Sequence, residues 1–388
     1  MDRLKLHAFW NSLANNVATP FVGFNVTVSG ASAILIGYVQ AIGSLASSVT
    51  QLLGGRIADR SGKRIAIAMM FSVVTGVLWL GSALNQNPEY LAVLFTAITL
   101  ALGFYASGWT SLVGEASEGR ARGYFLGTFA RVIYMGALAA LLLTTALTAY
   151  YPSPAALYLL AGAFFIFSAM ILVGQKEQHI EKKSISTDEN ASLRKYYVAT
   201  GVYGLFWGFA WPLFTITTVN IVHADLFQYS LAQVIAVAST IGFQPVIGRF
   251  VDRSRKRGVF WGRMGLVVYP VVYMFMTSVW QLYVLNILSG VTNSLLNVAF
   301  VAYLYDISPA GQRGRYNAEF NLVNGVSTMI GSVSAGFALV FLTTWNSLWL
   351  SLAYLYVISA VGRAGGALLH LKLPYGPRGQ VPQGTVLR

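Results

Sequence analysis

The side chains best suited to bind a small molecule are amides and hydroxyls that recur at helical spacing. Positions i, i+3, i+7 and i+11 fall on one face of an α-helix. Four polar residues have this spacing: Asn286, Ser289, Asn293 and Asn297. Asn11 and Asn15, one helical turn apart, offer the same chemistry. Amides both donate and accept hydrogen bonds, so these faces could bind a hydroxylated or zwitterionic solute. Alternatively, each Asn could join two helices to one another within a membrane.

An aromatic stripe offers a second kind of contact. The segment "YGLFWGFAWPLF" places four rings on roughly one side of a helix: Tyr203, Trp207, Trp211 and Phe214. Aromatic faces stack on sugars, rings or cations, although such a stripe also serves packing or lipid contact. Gly204 and Gly208 form a GxxxG pattern that predicts close contact with another helix, and Pro212 predicts a local kink.

Charged side chains within apolar segments are few, since each costs about 2.5–3.5 kcal/mol at the middle of a membrane helix. Arg131 lies about 10 Å into its predicted helix, where it could bind an anionic solute, move with a gate or snorkel to the headgroups. Glu319 lies near the start of a later helix, where it could pair with the loop at 55–64 or carry a proton. Arg363 lies near the end of the last predicted helix.

The composition is that of an integral membrane protein. Of the 388 residues, 56% are hydrophobic and 10% are charged, and the mean hydropathy is +0.60. A helix needs about 20 apolar residues to cross a bilayer core of about 30 Å. The chain can therefore supply twelve spans joined by short loops. A net charge of +13 could suggest a nucleic acid partner, but the Lys and Arg residues do not form a basic soluble face.

Apolar runs predict an all-α protein with twelve transmembrane helices. They cover residues 5–28, 31–54, 65–85, 90–113, 123–149, 155–174, 196–222, 228–250, 258–278, 280–304, 315–342 and 346–370. The amino terminus, alternate connections and the tail from Lys372 hold nearly all of the 26 Lys and Arg residues, and the other connections hold none. We call the two ends of the molecule the basic end and the non-basic end. The positive-inside rule predicts that the basic end and both termini are cytoplasmic, with the protein in the plasma membrane.

Two segments recur at about half the chain length. "GRIADRSGKR" (55–64) matches "GRFVDRSRKR" (248–257), and "EASEGRARGYFLGTF" (115–129) matches "DISPAGQRGRYNAEF" (306–320). Such repeats predict two six-helix bundles related by pseudo-two-fold symmetry, the plan of a secondary transporter whose site lies between the repeats. The predicted units are the bundles 1–174 and 196–371, a cytoplasmic linker 175–195 and a tail 372–388.

The loop "GRIADRSGKR" resembles the signature loop of the major facilitator superfamily, and the twelve-helix layout extends the resemblance over essentially the whole chain. The resemblance implies a rocker-switch carrier in which helices 1, 4, 7 and 10 line a cavity and helices 2, 5, 8 and 11 join the halves. Those cavity helices hold no Asp, Glu, Lys or Arg at mid-depth, which predicts a neutral, polar and aromatic cavity. Helix 4 also lacks the buried Arg of many proton-driven drug exporters of the superfamily.

The resemblance further implies a latch that holds one conformation. Asp59 would cap the start of helix 11 in the outward-open state, and the loop arginines would pair with nearby acids. The latch residues in both halves would be Gly55, Arg56, Asp59, Arg60, Arg64, Glu115, Gly248, Asp252, Arg253 and Glu319. These charges could instead serve only to orient the chain. The second copy departs from the pattern, because Arg255 stands where Gly62 stands in the first.

We therefore expect a transporter that moves a small organic solute by alternating access, with or without a coupled proton or other ion. Drug or metabolite efflux is the alternative within transport, motivated by the aromatic stripe. An enzyme is a poor fit, since the sequence has no clustered His, nucleophile elbow or nucleotide loop. No metal or cofactor is expected, and the expected partners are the solute and the lipid bilayer around a monomer.

Overall fold

The computed structural model describes residues 2–116, 122–175, 191–253, 255–307 and 313–372, and they are almost entirely helical. The helices are α1 (Arg3–Ala18), α2 (Val22–Val28), α3 (Ala33–Ser61), α4 (Arg64–Ser82), α5 (Pro88–Ala116), α6 (Arg122–Tyr150), α7 (Pro154–Ile171), α8 (Ala191–Phe209), α9 (Trp211–Asn220), α10 (Leu226–Arg253), α11 (Arg255–Gly265), α12 (Val268–Met274), α13 (Val279–Ile307), α14 (Arg313–Thr343) and α15 (Leu348–Leu369). Within these ranges, nine segments are long and apolar enough to cross a bilayer.

The predicted twelve-helix layout is confirmed, and three of its spans are broken into two pieces. α1 and α2 form the first span, α8 and α9 the seventh, and α11 and α12 the ninth. A proline lies at or just after each break: Pro20, Pro212 and Pro270. Proline has no N–H for the carbonyl four residues earlier, so it leaves that carbonyl without its helical partner. The break before Pro212 confirms the predicted kink.

The two halves pack most closely along α3 and α14, the second and eleventh spans. The helices run antiparallel, with four facing pairs in one continuous register: Ala33 and Gly336, Gly37 and Ser332, Ser44 and Gly325, and Ser48 and Asn321. A Cβ at Gly37 would lie 2.5 Å from the Ser332 carbonyl oxygen, and one at Gly325 would lie 2.7 Å from the Ser44 carbonyl oxygen. Only glycine allows the backbones to approach this closely. We call this contact the glycine seam.

Further contacts join the halves near the non-basic end. The hydroxyls of Thr148 on α6 and Ser230 on α10 are 3.4 Å apart. The Tyr229 ring stacks on Phe24 of α2, with 4.6 Å between the ring centroids. The fifth and eighth spans thus meet each other as well, so all four helices that the resemblance implies for joining the halves do join them.

The predicted close approach of the GxxxG face is also confirmed. A Cβ at Gly204 would lie 3.1 Å from the Ser327 Cβ on α14, and one at Gly208 would meet the Thr328 backbone. This contact fixes α8 against α14, so the aromatic residues of the same span point to other neighbours.

Candidate functional site

Each half of the chain contains a cavity among its described helices. The N-half cavity, of about 490 Å³, is lined by α1, α3, α5 and α6. The C-half cavity, of about 400 Å³, is lined by α8, α9, α10, α12, α13 and α15, together with Gln40 of α3. Gln40 donates a hydrogen bond to the Thr215 hydroxyl on α9. Since Gln40, Gly43 and Ser47 share one face of α3, that helix borders both cavities.

Amides of α1 supply polar groups to the N-half cavity. Asn11 and Asn15 both line it. The Asn15 Oδ1 accepts a hydrogen bond of 3.1 Å from Thr19, whereas the buried Asn11 Nδ2 has no hydrogen-bond partner among the described residues. A buried donor without a partner costs roughly 1–3 kcal/mol. The described residues therefore leave the Asn11 Nδ2 as an unused donor beside the cavity.

Aromatic rings of α5 form another wall of the N-half cavity. Phe95, Tyr105 and Trp109 line it, and the Tyr105 and Trp109 rings are stacked with centroids 6.3 Å apart. Sequence reasoning missed these rings. The i, i+4 spacing of Tyr105 and Trp109 was the signal that could have found two of them.

Aromatic rings and amides also meet in the C-half cavity. The aromatic wall comprises Trp207, Trp211, Phe214, Tyr269 and Tyr273, and the polar wall comprises Gln40, Gln233, Asn286, Ser289 and Asn293. The centroids of Trp207 and Trp211 are 5.0 Å apart, and those of Phe214 and Tyr273 are 4.3 Å apart. A planar molecule can stack on such rings while the amides bond to its edge.

One buried cation, Arg363 on α15, also lines the C-half cavity, although its side chain is only 1% exposed. Its Nε donates to the Phe206 carbonyl at 3.3 Å, its Nη2 to the Trp207 carbonyl at 3.0 Å and its Nη1 to the Leu266 carbonyl at 2.9 Å. The Phe206 and Trp207 carbonyls lie in the last turn of α8, where carbonyls lack helical partners. The Leu266 carbonyl also lacks one, because Pro270, four residues later, has no N–H. Arg363 thus ties the breaks of two spans together.

The position of Arg363 corrects the prediction of a neutral cavity. The expected cavity helices hold no mid-depth charge, as predicted, but the twelfth span contributes a guanidinium that the sequence placed only near a helix end. The guanidinium also lies 5.4 Å from the centroid of the Phe214 ring, a distance at which a cation is attracted to the ring face. The C-half cavity therefore combines rings, amides and one positive charge.

Five of the eight predicted binding residues line a cavity, two in the N-half and three in the C-half. Trp207, Trp211 and Asn293 share the C-half cavity. Tyr203 is fully buried elsewhere: its hydroxyl donates to the Arg263 carbonyl at 3.0 Å, and the Arg263 guanidinium lies 4.1 Å from its ring centroid. Residues four apart in a helix are offset by about 40° around its axis. Tyr203 therefore lies to one side of the helix face that carries Trp211.

Two further predicted binding residues differ in what the structure describes of them. Arg131 is exposed and lines neither the N-half nor the C-half cavity. The side chain of Asn297 falls outside the described part of the structure. The anion-binding role considered for Arg131 therefore gains no support from the cavity geometry.

The first-repeat loop ends α3 with a turn that favours glycine. Gly62 has a φ of +66°, and its N–H donates to the Ala58 carbonyl at 3.1 Å, the left-handed cap that glycine adopts at no steric cost. In the second repeat the matching Arg255 is instead the first residue of α11. A side chain added at Gly55 would meet no described atom within 4 Å.

The other predicted latch residues are described only in part. Arg56 and Arg60 are exposed near the end of α3, and Arg64 is buried at the start of α4. Glu319 accepts a hydrogen bond of 3.2 Å from the Tyr197 hydroxyl on α8. The remaining side chains fall outside the described part of the structure: Asp59, Glu115, Gly248, Asp252 and Arg253.

Comparison with known proteins agrees with the two-half layout. A family model described as Major Facilitator Superfamily matches residues 6–197 and again residues 196–385. The chain is 26% identical over 363 residues to the multidrug resistance protein MdtG of Enterobacter lignolyticus (strain SCF1), a match that covers 87% of this chain and 86% of that protein. It is 24% identical over 381 residues to the MdtG of Escherichia fergusonii, covering 88% of this chain and 93% of that protein.

Solved structures share the fold. A crystal structure of the nucleoside transporter NupG superposes with a TM-score of 0.75 at 13% identity, covering 96% of this chain and 99% of that chain. A bacterial homologue of the human lysosomal transporter Spinster, in an inward-facing and occupied conformation, gives a TM-score of 0.72 at 11% identity, covering 96% and 95%. The chain belongs to the major facilitator superfamily and is a multi-pass membrane transporter rather than an enzyme.

Proposed function

We propose that the chain carries a small organic solute by alternating access, in rocker-switch movements of its two six-helix halves. The C-half cavity carries the proposal, because rings, amides and a guanidinium line a space to which Gln40 of the other half also contributes. A site that takes side chains from both halves changes shape when the halves move. Its chemistry suits a planar solute with hydrogen-bond acceptors at its edge.

The contacts between the halves support a state closed at one end. The glycine seam and the Thr148–Ser230 contact join the halves towards the non-basic end. With the basic end and both termini in the cytoplasm, this state is closed to the outside. In this proposal the bundles 1–174 and 196–371 move as units of a monomer in the plasma membrane, joined by the linker 175–195.

Drug or metabolite efflux is the second candidate. It is favoured by the similarity over 87% of the chain to a protein named as a multidrug resistance protein and by the aromatic walls of both cavities. Aromatic surfaces accept many ligands because stacking does not depend on a fixed hydrogen-bond pattern. An efflux carrier of this kind would be inhibited by a wide range of hydrophobic competitors, whereas a carrier of one polar metabolite would not.

Solute flux in proteoliposomes tests the proposal. A panel containing an aromatic cation, a nucleoside and a sugar is assayed with and without a pH gradient. We expect Trp211→Ala to reduce the transport of the aromatic solute by about tenfold, the effect of losing roughly 1.4 kcal/mol of stacking. Trp345→Ala is the matched control, because this ring is 78% exposed in the connection between α14 and α15.

Two results would contradict this assignment. A folded preparation that moves no solute under any gradient would reject transport. Equal loss in Trp211→Ala and Trp345→Ala would reject the C-half cavity as the place of binding.

A further inference from the structure

A buried histidine lies directly behind the N-half cavity. His7 on α1 is fully buried, and both of its ring nitrogens have partners. Nδ1 is 2.8 Å from the carbonyl oxygen of Ser168 on α7, and Nε2 is 2.9 Å from the hydroxyl of Tyr105 on α5. Since Tyr105 lines the cavity, a single hydrogen bond separates the imidazole from that space.

The Ser168 carbonyl determines where the imidazole proton lies. A carbonyl oxygen can only accept a hydrogen bond, so Nδ1 must carry the hydrogen. In a neutral imidazole Nε2 is then an acceptor, and the Tyr105 hydroxyl must donate to it. Ser168 is itself anchored, because its hydroxyl donates to the Phe165 carbonyl at 2.8 Å and lies 3.1 Å from the Ser72 hydroxyl. The chemistry of the partners therefore sets the direction of both bonds.

Protonation of His7 reverses the polarity that Tyr105 presents to the cavity. While His7 is neutral, the Tyr105 hydrogen points to Nε2, and its oxygen can accept a bond from a solute. When His7 is charged, both ring nitrogens donate, so the Tyr105 oxygen accepts from Nε2 and its hydrogen turns to the cavity. The charge on His7 also repels a cation across a medium of low dielectric constant.

We propose that His7 and Tyr105 form a proton-binding site which, when occupied, excludes a cationic, hydrogen-bond-donating solute from the N-half cavity. The inference rests on the proposed transport function and adds an exchanged proton to it. Tyr105 passes its hydroxyl hydrogen to Nε2 and takes a proton from a hydronium ion in the cavity, so one proton enters and water is left. Coupling between two ligands is reciprocal, and binding of the cation therefore releases the proton.

The surroundings of His7 leave Tyr105 as the titratable group in direct contact with its ring. The other described charged or titratable side chains on the helices packed around it, α1, α4, α5, α6 and α7, are Arg3, Lys5, Arg64, Glu89, Tyr90, Arg131, Tyr134, Tyr150 and Tyr158. Of these, Arg64 is a buried cation at the start of α4. Arg3 donates to the Val173 carbonyl at 2.7 Å, and Tyr158 accepts a hydrogen bond of 2.8 Å from Asn25. Trp109 covers another side of the imidazole, with 4.8 Å between the ring centroids. A proton from the cavity therefore reaches the imidazole through Tyr105.

Nitrogen-15 NMR of the full chain labelled at histidine tests the site without any solute. Comparison with His7→Gln assigns the His7 signals. We expect hydrogen on Nδ1 in the neutral form and a single protonation of Nε2 as the pH falls from about 8 to about 4. A neutral His7 with hydrogen on Nε2, or a ring that stays neutral throughout this range, would overturn the proposal.

Binding of ethidium, a planar cation with amino groups, tests the coupling in detergent-solubilised protein. We expect the wild-type affinity to fall by about tenfold per pH unit below the His7 midpoint, as for one competing proton. The His7→Gln amide can donate to Ser168 and accept from Tyr105, so this variant should bind ethidium without that pH dependence. The control is His223→Gln, which alters an exposed histidine in the connection after α9 and should retain the dependence.

The outcomes separate the proton site from the transport function. If His7→Gln keeps the wild-type pH dependence, or if the wild-type protein binds ethidium equally at all pH values or not at all, the exclusion mechanism is wrong. If His7 titrates and competes with ethidium but proteoliposomes move no solute, the proposed transport function fails and the proton site stands.

Discussion

The two halves repeat one another at their loops but differ at their cavities. A buried basic side chain adjoins each cavity, Arg363 in the second half and His7 in the first. Neither is repeated, because at an offset of 193 residues Met170 matches Arg363 and Thr200 matches His7. Arg363 binds the broken ends of two spans, whereas His7 links α1 to the continuous helices α5 and α7. The two repeated loops thus resemble one another in sequence, while the buried basic side chain beside each cavity has no counterpart in the other half.

Of the changes that would test this difference between the halves, removal of Arg363 should have the largest effect, on the free energy of unfolding. Arg363→Ala removes a donor from three backbone carbonyls, of which that of Phe206 still accepts from the Ser359 hydroxyl at 3.1 Å. The carbonyls of Trp207 and Leu266 lose this donor at roughly 1–3 kcal/mol each, so we expect the free energy of unfolding to fall by at least about 2 kcal/mol. The free energy of unfolding of Arg363→Lys should lie between those of the wild type and Arg363→Ala, because one ammonium group lacks the planar fork that reaches three acceptors. Thermal unfolding in detergent, followed by tryptophan fluorescence, measures both variants.

Arg131→Ala is the matched control, since this exposed arginine should leave the melting temperature unchanged. His7→Gln replaces the buried basic residue of the first half. It should lower the melting temperature less than Arg363→Ala, because the amide can keep both hydrogen bonds. An Arg363→Ala protein as stable as the wild type would show that Arg363 does not hold the two breaks together.

A smaller effect distinguishes the amides of the two cavities. Asn11 Nδ2 has no partner among the described residues, whereas Asn286 Nδ2 donates to the Leu282 carbonyl of its own helix at 2.8 Å. Asn11→Ala should therefore weaken solute binding by about tenfold, the effect of one lost hydrogen bond of roughly 1.4 kcal/mol, without lowering stability. Asn286→Ala should weaken binding less. Titration of solute binding, paired with thermal unfolding, would refute this contrast if both variants behaved alike.

The sequence predicted the fold well and the cavities in part, and the reasons are physical. Apolar length and Lys/Arg placement reflect the bilayer directly, so the twelve spans could be recognised. Helical spacing predicted Asn293 and Trp211 as candidate binding residues, and both line the C-half cavity. It could not identify Arg363, because the role of this residue depends on breaks in two other spans. Nor could it identify His7, whose partners Ser168 and Tyr105 are distant in the chain.

The smallest expected effect concerns the two copies of the loop. Asp59→Asn should shift the conformational equilibrium towards the inward-open state by roughly 0.3–1 kcal/mol, or about two- to fivefold, through loss of a charge at the start of α14. Asp252→Asn makes the same change in the copy where Arg255 replaces the capping glycine, so we expect a different and smaller shift.

Cysteine labelling can measure both shifts without interference, because the chain contains no native Cys. An Ala106→Cys background places a single thiol in the N-half cavity wall. Its labelling rate should rise in Asp59→Asn when the reagent is added from the basic end. Unchanged labelling in Asp59→Asn, or an equal rise in Asp252→Asn, would reject a latch that depends on the first loop.

The glycine seam also determines where a membrane voltage would act. At Gly37 and Gly325 the helix backbones approach so closely that no room is left for water, and such a wall is an electrical insulator. When the cavities are open at the other end, water in them conducts, and nearly all of the voltage falls across the seam. A charged solute would then cross the field when the halves move, at about 2.3 kcal/mol per charge for each 100 mV. The conformational step, rather than solute entry, would be the voltage-dependent part of the cycle.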